Sequence, residues 1–125
     1  MRPKIEVDNH KLMYHPERVA EWKEKGDCYP IYVEIGPTNR CNHGCIFCAL
    51  DFLENGTDMI DTNIMISTLE NMANHGVKSI MFAGEGEPLL HKDIGLFTQK
   101  AKGYGLDIAI TTNGVAFTQK KREIV

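Results

Sequence analysis

Apolar positions along the chain follow two different periods. Ile31 to Ile35, Val77 to Ala83 and Leu106 to Thr112 are short runs rich in β-branched and aromatic residues, bounded by Pro, Gly or Asn, and read as strands. Ile80 and Phe82 share one face of the second run. Helical spacing instead links Val19 and Trp22 within Pro16 to Lys25, and Met65, Leu69, Met72 and Ala73 within Thr62 to His75. It also links Ile94, Phe97 and Ala101 within Lys92 to Lys102. Pro16 starts the first helix and Gly26 stops it; Asp61 or Thr62 can cap the second and Gly76 end it; glycines 103 and 105 follow the third. The Val19–Trp22 face predicts that the first helix packs across the bottom or side of the strands and helices that come after it, and the helix methionines are expected to fill the core. Thr118 to Val125 reads as the opening of another helix, whereas residues 1 to 15 show no clear period.

Strands alternating with helices, joined by crossovers long enough for βαβ units, predict an α/β fold of parallel (βα) repeats. A closed barrel wants about eight strands and about 200 residues or more. The expectation is therefore the amino-terminal portion of a TIM-type full or partial barrel. Residues 1–29 would form an extension with a short helix, and residues 30–125 an incomplete core of about three βα units. Loops 36–48, 84–88 and 112–114 each follow the carboxyl end of a strand, where α/β folds gather their sites. The polar stretch Asp51 to Asp61, with its Asn55-Gly56 turn pair, could cover such a site.

Composition narrows the class. With 42% hydrophobic residues over 125 positions, the chain suits one ordinary soluble domain. A net charge of -3 with scattered Lys and Arg gives no footprint for a nucleic-acid backbone. No run of about 18 apolar residues occurs, so no membrane span is predicted and the chain reads as cytoplasmic. In that reducing compartment four cysteines point to metal binding or catalysis rather than disulfides. Cys28 stands apart and reads as a plain buried thiol. His10, His15 and His91 read as surface histidines.

Chemistry is concentrated in Cys41-Asn42-His43-Gly44-Cys45-Ile46-Phe47-Cys48. On a regular helix the three thiols would share a face as an inert stripe, but Gly44 and Asn42-His43 weaken that helix. A structural zinc site would want a fourth ligand, and His43 would tend to point away from its neighbouring cysteines. A third reading is a four-iron, four-sulfur (4Fe-4S) cluster held by three thiolates, where ordinary electron carriers use four. One iron would then keep an open position, which is the mark of a catalytic metal.

Cys-x3-Cys-x2-Cys after a first strand, with Phe47 before the last cysteine, resembles the signature of the radical S-adenosylmethionine superfamily. The resemblance covers about residues 31 to 114. It implies Cys41, Cys45 and Cys48 as cluster ligands, with the open iron taking the amino and carboxylate groups of S-adenosylmethionine. Reductive cleavage of that cofactor would give a 5′-deoxyadenosyl radical that abstracts hydrogen from a substrate, with an electron donor such as a flavodoxin or ferredoxin. Phe47 would lie against the adenine. Gly86, Glu87 and Pro88 are similar to the family's Gly-Gly-Glu-Pro turn, which implies Glu87 for the methionine ammonium, a charge-assisted contact. Glu85 departs from that pattern and is expected to be solvated or substrate-facing. Asn113, in Thr111-Thr112-Asn113-Gly114, resembles the family's third-strand ending beside the cofactor pocket. The alternative is a non-catalytic iron–sulfur or zinc-binding module, and a third reading is a metal-free α/β fragment.

Overall fold

The computed structural model describes residues 12–49 and 56–119. After a 3-10 turn at Leu12–Tyr14 come helix α1 (Pro16–Lys25), strand β1 (Tyr32–Ile35), helix α2 (Thr62–Asn74) and strand β2 (Ser79–Phe82). A second 3-10 turn, Pro88–Leu90, precedes helix α3 (Ile94–Gly103) and strand β3 (Asp107–Ile110). His10, residues 51–55 of the polar loop and most of the helix expected over Thr118 to Val125 lie outside the described residues. The strands are parallel in the order β1-β2-β3. Tyr32, Ser79 and Asp107 are in register at one end, and Ile35, Phe82 and Ile110 at the other. The expected parallel βα architecture is present, with each strand shorter than its apolar run because the flanking residues turn into caps and loops.

Asp61, one of the two proposed caps, closes the start of α2 by accepting from the Asn63 and Ile64 backbone N–H groups at 2.8 and 3.1 Å. Helices α2 and α3 end by the same device. Gly76 N–H donates to the Ala73 carbonyl and Val77 N–H to that of Met72; Gly105 N–H donates to Lys102 and Leu106 N–H to Ala101. These nested bonds form a Schellman closure, which needs a left-handed residue at the glycine. Both glycines have φ of +84°. Each closure delivers a buried residue, Val77 or Leu106, to the core just before a strand begins. A Cβ on Gly105 would meet nothing within 4 Å. Gly105→Ala is therefore expected to lose about 1–2 kcal/mol from backbone conformation alone. The change should appear as a lower denaturation midpoint with an unchanged slope.

Strand alternation divides the sheet into two faces. Val33, Ile35, Ile80, Phe82, Ile108 and Ile110 pack toward α2 and α3, in one cluster with Met65, Leu69, Phe97 and Ala101. Tyr32, Glu34, Met81 and Ala109 alternate onto the other face. There the Tyr32 hydroxyl donates to Glu34 at 2.6 Å. This bond, with burial and the carboxylate charge behind it, pushes the Tyr32 phenol up to about 12.

Two expectations are corrected. Helix α1 buries none of its residues and leaves Trp22 57% exposed, because Val19 and Trp22, its two large apolar side chains, make no packing face on a mostly polar helix. Its tie is polar instead: Arg18 Nη2 donates to the Gly76 carbonyl at 3.0 Å. Cys28 is half-buried rather than buried, lying in the stretch between α1 and β1 and lining an open surface cleft with Glu21, Lys25 and Asp27.

Candidate functional site

The cysteine loop rises from the carboxyl end of β1 on a closed stem. Asn39 N–H donates to the Asp58 carbonyl at 2.8 Å and Ile60 N–H to that of Pro37 at 3.0 Å. The Thr38 hydroxyl donates to Asp58 O at 2.9 Å and accepts from Arg40 N–H at 3.0 Å. Inside the loop, Cys48 N–H donates to the Cys45 carbonyl at 2.9 Å, a turn that accounts for the two-residue gap between these thiols. Cys41 is exposed, Cys45 and Cys48 are half-buried, and all three are free thiols. Phe47 projects from the turn, 88% exposed.

The loop after β2 is seated directly on that stem. A Cβ on Gly86 would fall 2.4 Å from both the Thr38 and Arg40 carbonyl oxygens. Glu87 N–H donates to the same Arg40 carbonyl at 2.8 Å. Pro88, buried, then opens the 3-10 turn. Gly86 is thus required by the protein's own backbone.

Glu87 is 2% exposed, and its carboxylate joins the second loop to the third. Oε1 accepts from Leu89 N–H at 3.0 Å and from the Thr112 hydroxyl at 2.6 Å; Oε2 accepts from Asn113 N–H at 2.7 Å. Asn113 continues the chain of contacts: Oδ1 accepts from Val115 N–H at 3.0 Å, and Nδ2 donates to Asn42 Oδ1 at 2.8 Å. Asn42 is the neighbour of Cys41. The three loops therefore meet, with Glu87 at the centre of the junction.

His91 is buried, not a surface histidine, at 1% exposure. Nδ1 accepts from Asp93 N–H at 3.1 Å, so the proton sits on Nε2, which faces the Ile60 carbonyl at 3.1 Å. The ring also lies against Phe97, with centroids 4.7 Å apart. His91 thereby pins the segment that returns from the cysteine loop. His91→Leu would orphan the Ile60 carbonyl and Asp93 N–H, so a loss of about 1–3 kcal/mol is expected in a denaturant titration.

Glu85 is exposed and lines an open cleft of about 350 Å³ with Glu34, Ile35, Gly36, Ala83 and Gly84. Sequence reasoning passed over Glu34, Asn42 and Thr112. For Glu34 a signal existed: it is the one charge inside a β-branched strand, in the alternation opposite Val33 and Ile35. Among the described residues no three His, Cys, Asp or Glu side chains already converge on one metal position. The donor set nonetheless fits an iron–sulfur cluster, which takes one soft thiolate per iron and spreads its ligands further apart than a single ion does.

A family model described as the Radical SAM superfamily matches residues 35–125. The chain belongs to the radical SAM superfamily. The match begins at the last residue of β1 and takes in all three loops. A GTP 3′,8-cyclase of Campylobacter fetus subsp. fetus is 34% identical in an alignment of 98 positions that covers 74% of this chain. The chain spans only 30% of that relative's length. Among solved structures, Streptococcus suis SuiB bound to precursor peptide SuiA superposes with a TM-score of 0.69 at 24% identity, over 90% of this chain and 26% of that one. BtrN in complex with AdoMet and 2-DOIA gives 0.62 at 24% identity, over 78% and 41%. These likenesses identify the sheet and helices as the radical SAM fold. No helix among the described residues is long and apolar enough to cross a membrane.

Proposed function

We propose that residues 30–125 supply the first three or so βα units of a radical SAM enzyme core and hold both its 4Fe-4S cluster and S-adenosylmethionine, with residues 1–29 as an extension. The observation that carries this reading is the junction of the three strand-end loops beside the cysteines, through Glu87, Asn113 and Asn42. Cys41, Cys45 and Cys48 are the cluster ligands. Phe47, exposed beside the last thiol, offers its ring to the adenine. The cofactor's amino acid portion lies at the turn that follows β2, where Glu87 sits. A carboxylate has about four lone-pair positions, so Glu87 keeps one for the methionine ammonium after its three protein bonds. Gly86 and Pro88 shape that turn, and Asn113 borders the pocket.

When bound, cluster and cofactor supply one-electron cleavage of the sulfonium bond and a radical able to abstract hydrogen. The chain's own part is to position the reactants and exclude water. The electron comes from a small donor protein such as a flavodoxin or ferredoxin, in the cytoplasm. Substrate choice rests with loops of later strands in this architecture.

Anaerobic reconstitution tests the reading: about four irons per chain are expected, with S-adenosylmethionine altering the EPR spectrum of the reduced cluster. One tightly held zinc, with no response to S-adenosylmethionine, would instead mark a structural metal module. Cys41→Ala is expected to abolish the cluster absorption.

A further inference from the structure

Asn42 belongs to none of the motif positions, yet it is where the third-strand loop grips the cysteine loop. Its Oδ1 accepts from Asn113 Nδ2 at 2.8 Å, across 71 residues of sequence. A hydrogen bond between two exposed side chains ordinarily counts for little, because water replaces either partner and ordering both is costly. Asn113 differs from that case. Its N–H is held by the buried Glu87 carboxylate at 2.7 Å and its Oδ1 by Val115 N–H at 3.0 Å, so Nδ2 is presented in a fixed direction. A donor fixed in advance loses little further freedom when it bonds.

We propose that Asn42 is a positioning residue: the accepting end of a latch from Glu87 through Asn113 that sets the cysteine loop at the cofactor's distance. This rests on the cofactor reading above. The stem fixes the loop's base at Thr38 and Arg40, while the latch acts two residues beyond Arg40, next to the first cysteine. Asn42 need not touch the cofactor to do this. A loop free to tilt about its stem would still bind iron through its thiolates, but would present the cluster to S-adenosylmethionine in a spread of orientations.

The test uses the full chain, reconstituted anaerobically, with S-adenosylmethionine titrated against the EPR signal of the reduced cluster. Asn42→Ala removes the acceptor, whereas Asn42→Asp keeps an oxygen facing Asn113 Nδ2. Asn42→Ala is expected to keep the wild-type iron content while weakening S-adenosylmethionine binding about three- to tenfold, the worth of one hydrogen bond. Asn42→Asp should recover most of that loss, and Asn42→Ala added to Asn113→Ala should weaken binding no further than Asn113→Ala alone. Wild-type affinity in Asn42→Ala, or no recovery in Asn42→Asp, overturns the latch while leaving the cofactor reading intact. A wild-type chain that binds no iron, or whose cluster ignores S-adenosylmethionine, overturns both.

Discussion

Gly86→Ala is expected to deprive the chain of its ability to assemble the cluster and to lower its melting temperature by about 4–12 °C, the range for about 1–3 kcal/mol of overpacking in a domain of this size. The added methyl would sit 2.4 Å from two carbonyl oxygens, those of Thr38 and Arg40, and 2.7 Å from the Asn39 carbonyl carbon. All three are backbone atoms, so no rotamer change relieves the contact. Either the stem shifts, carrying Cys41 with it, or the turn at Gly86 lifts and breaks the Glu87 N–H bond to Arg40. Both routes disturb the cysteine loop. Gly105→Ala provides the comparison, since its conformational cost falls far from the cysteines in sequence and at the opposite end of β3, and its iron content should match the wild type. A Gly86→Ala chain with normal iron and an unchanged melt would show that the stem and the turn slide freely past one another.

Local physics made much of this architecture legible. The strands declared themselves by β-branched runs, α2 by its cap at Asp61, and both Schellman closures by a glycine ahead of a large apolar residue. The three loops were legible as a common site because parallel strands place their carboxyl ends together. What escaped was decided by contacts distant in sequence. Nothing around His91 in the chain announces that residue 60 will fold over it, and so its burial was missed. Asn42 and Asn113 are ordinary loop residues until the sheet brings them together. Trp22 failed in the opposite sense, since an apolar pair at helical spacing buries itself only when a neighbouring surface exists to receive it. The role of Glu87 was visible only in half: its motif suggested a ligand contact, while the three protein donors converging on it belong to the tertiary structure.

That second half makes a prediction of its own. Glu87→Gln is expected to destabilise the chain by about 1–3 kcal/mol even when neither iron nor S-adenosylmethionine is present, the cost of a buried donor left unpaired. The wild-type carboxylate only accepts, and all three of its partners donate. A glutamine amide would turn donor against donor on one side, at a side chain that is 2% exposed. Glu87→Ala, which abandons all three partners, should cost more than Glu87→Gln. Thr112→Ala, which removes the hydroxyl's bond to Glu87 and the exposed one it accepts from Gly114 N–H, should cost about 0.5–1.5 kcal/mol. Urea unfolding of the metal-free protein measures this series directly. If Glu87 acted solely as the acceptor for a cofactor ammonium, the metal-free variants would unfold within about 0.5 kcal/mol of the wild type, as substitutions outside any structural network do. The graded order Thr112→Ala, Glu87→Gln, Glu87→Ala would instead mark the carboxylate as the fastening between the second and third loops.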